Sequence, residues 1–119
     1  MTFEFRIEPH DVLVVDLREG AEQTSLAVHP ARAGAGSLRR ALDAAIVDGY
    51  GECFWPASTG GQYWWIFKRD ADGLDVIAMW TRGGASMWEH VFRATDSVDW
   101  VDERVTSETA RLGLDSPSP

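Results

Sequence analysis

The sequence predicts one α+β domain, a mostly antiparallel six-stranded sheet with two helices in the order βββαβββα, with two small sheets packed together as the alternative. Three observations predict it. Period-two alternation recurs in two groups of three short runs, each group is followed by a stretch with helical spacing, and glycine-bearing turns separate the runs. The 119 residues allow a single domain over residues 1–114, with residues 115–119 expected to be a disordered tail. The parallel order of elements raises the possibility of a pseudo-repeat of residues 1–50 and 61–114. Shifting the chain by 64 residues lays Asp11-Val12 on Asp75-Val76, Arg18 on Arg82 and Gly20-Ala21 on Gly84-Ala85.

Phe3, Phe5 and Ile7 alternate with Glu4, Arg6 and Glu8, the pattern of a half-buried strand, and Pro9-His10 ends it. Asp11 to Arg18 is the second strand, with Leu13, Val15 and Leu17 on one face, and Glu19-Gly20 is a tight turn. Glu22 to Val28 is the third, and its Leu26 and Val28 join that face. Pro30 to Gly36 reads as a small-residue loop, after which Ser37 caps a helix whose Leu38, Ala41, Leu42, Ala45 and Ile46 fall on one side. Gly49 stops it.

Tyr50 to Gly61 holds three glycines, a proline and Ser58-Thr59, so it reads as a loop, although Cys53, Phe54 and Trp55 make it unusually apolar. Gln62 to Arg69, Gly73 to Arg82 and Ala85 to Ala94 form the second group of strands, joined by Asp70-Ala71-Asp72-Gly73 and by Gly83-Gly84. Thr95-Asp96-Ser97 then caps a helix striped by Val98, Val101, Val105 and Leu112. Counting outward from the two turns pairs Lys68 with Asp75, Ile66 with Ile77, Trp64 with Met79 and Tyr63 with Trp80. On the next strand the count sets Trp88 against Met79, His90 against Ile77, and Phe92 against Asp75. Both faces of this ribbon are therefore apolar, and two apolar faces need two covers. The helices can supply one. The other calls for the Phe54-Trp55 loop, a second chain or a ligand.

Nineteen acidic residues against eleven basic ones, a formal charge of −8, argue against nucleic acid and against anionic membrane surfaces. No run is apolar enough to span a bilayer. Cys53 is the only cysteine, and Met1 to Arg6 shows neither the basic end nor the apolar run of a signal peptide, so a cytoplasmic location is expected. Ten arginines to one lysine, with no asparagine, is the bias of a GC-rich bacterial genome.

The aromatic face selects the binding candidates: Trp64, Met79, Trp88 and Phe92 on the ribbon, Trp55 from the loop, and Trp100, which falls off the helical stripe. The catalytic candidates are His90 and Asp75, placed diagonally on one face so that the carboxylate could orient the imidazole, but no motif supplies a nucleophile. Gly34-Ala35-Gly36-Ser37 at a helix start lacks the spacing of a phosphate loop. His10, His29 and His90 have no paired spacing, so no metal is expected, and no cofactor motif is present. Asp96, Asp99, Asp102 and Glu103 suit the positive end of a helix. The leading expectation is a non-catalytic interaction domain, homodimeric or bound to another protein through the aromatic face, with an apolar small molecule as a further possible occupant. The alternatives are a small enzyme at His90 and Asp75, and an acidic inhibitor or immunity-type protein that blocks a basic partner.

Overall fold

In the computed structural model, which describes residues 1–57, 60–82 and 87–115, the strands fall into two antiparallel sheets instead of one. Strands β1 (Thr2–Glu8), β2 (Val12–Glu19) and β3 (Glu22–Val28) form a three-stranded meander. Helix α1 (Ala31–Asp48) then leads to β4 (Tyr50–Pro56), β5 (Gln62–Asp70), β6 (Gly73–Thr81) and β7 (Glu89–Asp96), a four-stranded sheet in sequential order, and α2 (Val98–Arg111) closes the chain. The α+β class and both helices agree with the sequence; the six-stranded sheet does not. Two sheets can each turn one apolar face toward a common core, which a single sheet with only two helices to cover it could not close as fully. Phe3 of β1 meets Trp65 of β5 across that core, ring centroids 6.0 Å apart, and both are fully buried.

The extra strand is β4, read from sequence as a loop. Its burial alternates residue by residue, with Gly51, Cys53 and Trp55 inside and Glu52, Phe54 and Pro56 outside. A glycine near one end and a proline at the other disguised a period-two pattern at an edge, where proline is tolerated. Helix α1 also begins earlier than the Ser37 cap predicts. Pro30 occupies the cap position, and Gly34 and Gly36 lie inside the helix. Tertiary packing overrides the poor helix propensity of this segment: a Cβ on Gly34 would lie 2.2 Å from the Val28 side chain, so the missing side chain lets the helix sit on β3. Ser37, now internal, bonds Gly34 O and accepts the Trp55 indole N–H at 3.1 Å.

Helix α2 matches its predicted cap: Ser97 Oγ accepts from the Trp100 backbone N–H at 3.1 Å. Further along, Glu108 is buried against β1. Its Oε1 accepts the Phe5 amide at 2.9 Å, and its Oε2 accepts Arg111 Nε at 2.8 Å. The hydrogen bond from Arg111 holds its pKa below the ordinary 4.5 against the opposing effect of burial, with the Phe5 amide helping. A depressed carboxyl pKa contributes stability above its unfolded value and loses it as pH falls through the folded value. Glu108→Ala should therefore cost about 1–3 kcal/mol at neutral pH. The gap between wild type and variant, measured by urea unfolding, should shrink in the acid limb; a gap independent of pH would remove the linkage.

Candidate functional site

The register of the four-stranded sheet decides which side chains share its outer face. Phe54, Trp64, Met79 and His90 are successive cross-strand partners, and Glu52, Ile66, Ile77 and Arg93 form the adjacent row. A third row runs Tyr50, Lys68, Asp75 and Thr95. All four sequence-derived pairs between β5 and β6 are present: Lys68 with Asp75, Ile66 with Ile77, Trp64 with Met79, and Tyr63 with Trp80.

At one end of this face three aromatic rings touch. Phe54 stacks on Trp64 at 5.7 Å, Trp88 meets Trp64 edge-on at 5.2 Å, and Phe54 and Trp88 lie 6.0 Å apart. The cluster faces outward, with Phe54 44% exposed. Glu52 anchors its rim, accepting the Trp64 indole N–H at 2.8 Å and the Tyr50 hydroxyl at 2.7 Å through one carboxylate oxygen. Burial, and then that hydrogen bond, push Tyr50 up to about 12, so it remains a neutral donor. Among the described residues no helix or strand lies over this face. Packing from α1 reaches the opposite one, where Gly51 meets the Ala41 carbonyl.

The outer face of the three-stranded sheet is different in kind. Asp16 accepts there from Arg6 and Ser25, and although burial opposes it, the Ser25 and Arg6 hydrogen bonds lower the Asp16 pKa. Such a charged, internally paired surface is adequately solvated. The aromatic surface is not explained that way.

Several sequence-derived positions move. Phe92 pairs with Ala78 and is fully buried, not outward beside Asp75, because a bulge at Ala78/Met79 shifts the register of β7. The two-residue turn used for that count, Gly83-Gly84, lies outside the described residues. Trp55 is 1% exposed, edge-on to Trp65 at 5.1 Å, so it belongs to the core and not to an accessible surface. Trp100 is half-buried against the core, with the Arg104 guanidinium 5.9 Å from its ring. The Phe54-Trp55 loop, one of the three covers open to the aromatic face, is strand β4, and its Phe54 extends that face instead.

A separate offset separates His90 from Asp75: on the turn side of the bulge Met79 already pairs with His90 and not with Trp88, two residues from the position that a two-residue turn predicts. His90 now faces Met79, four residues along β6 from Asp75, a distance of roughly 13 Å along the strand. Asp75 is held by Thr95 Oγ1 and by Arg93 at 3.3 Å. The imidazole-orienting pair does not form. Burial pushes the Cys53 thiol up to about 11, which suits a packing residue and not a nucleophile. No group of three or more His, Cys, Asp or Glu among the described residues is placed to hold a metal. Among the described residues no helix is long and apolar enough to cross a membrane. The Gly34 to Ser37 segment lies within α1 and so leaves no helix start there for an anion. Searches against protein-family models, curated proteins and solved structures return no match.

Proposed function

We propose that this protein is a non-catalytic interaction domain whose working surface is the outer face of the four-stranded sheet. One observation carries the reading: Phe54, Trp64 and Trp88 form a contiguous aromatic cluster on a face that no described element covers, flanked by Met79, Ile77 and the Glu52 carboxylate. Tryptophan and methionine are enriched where partners bury surface, and apolar centres with charged margins are the usual anatomy of such contacts. A protein partner suits the site better than an enclosed small molecule, because the rings pack against one another and leave a relief and not a cleft.

Hydroxyl-radical footprinting tests this directly. In dilute purified protein Phe54, Trp64 and Trp88 should be oxidised readily, while Trp55 and Trp65 are spared. In the cells that produce the protein the first three should be several-fold protected. Equal oxidation of these three residues in both settings would refute the reading.

A further inference from the structure

We infer that the occupant of this face is a second copy of the chain, packed sheet on sheet about a two-fold axis that runs along the strands between β5 and β6. The inference rests on the outer face being an interaction surface, and adds the partner and its register.

The argument is the pattern of the three rows. A half-turn about that axis reverses each row end for end and lays it on itself. The row Glu52, Ile66, Ile77, Arg93 then sets Glu52 against the partner's Arg93 and Ile66 against the partner's Ile77. The row Tyr50, Lys68, Asp75, Thr95 sets Lys68 against the partner's Asp75. The row Phe54, Trp64, Met79, His90 sets Trp64, with Trp88 edge-on against it, toward the partner's Met79 and Phe54 toward the partner's His90. Every central pairing is apolar on apolar or opposite in charge, which is what a symmetric interface demands of a single surface.

The other in-plane axis, across the strands, fails. It would set Glu52 on the partner's Glu52 and Arg93 on the partner's Arg93, and would bury Lys68 against the partner's Trp64.

The edge groups Glu52 and Arg93 are open to take part. The second Glu52 carboxylate oxygen accepts no hydrogen bond within the described chain. Arg93 touches Asp75 yet keeps a side chain 60% exposed. Stacked sheets lie about 10 Å apart and cross at about 30°, which displaces the edge positions by about 4 Å, within reach of an Arg–Glu pair. The face measures roughly 20 by 25 Å in plan, the small end for a specific interface.

Sedimentation equilibrium of the full chain, from micromolar to several hundred micromolar, should show a monomer–dimer equilibrium. Glu52→Arg and Arg93→Glu should each weaken dimerisation at least tenfold while circular dichroism stays native, because each sets like charges together twice. Mixing the two variants should restore the dimer as a heterodimer in native mass spectrometry, since the pairs E52R with R93E are again opposite in sign. A wild type that stays monomeric throughout, or folded variants that fail to recover on mixing, overturns the proposal. Should either variant misfold, concentration-dependent protection of Trp64 in wild-type footprints decides instead: protection supports the dimer and its absence refutes it. Failure here with Phe54, Trp64 and Trp88 still shielded in cells would leave the interaction surface standing with a different partner, whereas exposure in both settings would remove both.

Discussion

Trp65→Ala should remove a large share of the fold's stability, while Trp64→Ala, one residue away, should leave a cooperatively folded protein. Trp65 is fully buried, 5.1 Å from Trp55, 6.0 Å from Phe3 and 6.1 Å from Phe67, so its removal opens a cavity where both sheets meet. Truncating a large buried aromatic costs about 3–5 kcal/mol, against a total of about 5–15 kcal/mol for a domain. Trp64 loses only ring contacts with Phe54 and Trp88 and the bond to Glu52, all on an exposed face, and its cost should stay below about 1.5 kcal/mol. Urea unfolding at low protein concentration, where any dimer is dissociated, measures both. Similar costs for the two would mean that the faces of β5 are not as described.

Gly51→Ala should be nearly as damaging although it adds a single methyl. A Cβ at this position would sit 1.8 Å from the Ala41 carbonyl oxygen and 2.8 Å from its carbon, both backbone atoms of α1 that cannot rotate away. The helix must move off β4 or the strand must bend, at a cost of about 3 kcal/mol or more, the upper end for overpacking. Gly36→Ala gives the opposite sign. There the new methyl meets only the end of the flexible Arg40 side chain at 3.4 Å, inside a helix where glycine is unfavourable, so stability should rise by about 0.5–1 kcal/mol. Thermal melts of the two variants should therefore shift in opposite directions from wild type. A tolerated Gly51→Ala would show that α1 does not rest on β4 at this point.

Legibility differed along the chain for physical reasons. In β1 to β3 and in the β5–β6 hairpin, alternation and turn chemistry act locally, and the counted pairs from Tyr63/Trp80 to Lys68/Asp75 match the ladder. Between β6 and β7 the count failed twice: Met79 meets His90 where a two-residue turn predicts Trp88, and a bulge, an extra residue that leaves no mark in the alternation, then sent Phe92 inward. In β4 the alternation of Gly51, Cys53 and Trp55 with Glu52 and Phe54 was present but lay between turn-forming residues. Its partner, β5, is what makes it a strand. The start of α1 was illegible because glycine disfavours helix in isolation, and only contact with Val28 reverses that preference.

The chain alone determined the α+β class, the two helices, the apolar character of both faces of the later ribbon, and the row that joins Trp64 to Met79, because those follow from periodicities of two and 3.6 residues within short segments. Tertiary structure decided that there are two sheets, that Trp55 and Phe92 belong inside, that Phe54 joins Trp64 and Trp88 outside, and that His90 and Asp75 stand apart. Those outcomes depend on which segments far apart in sequence compete for the same core volume, and no local pattern encodes the result of that competition.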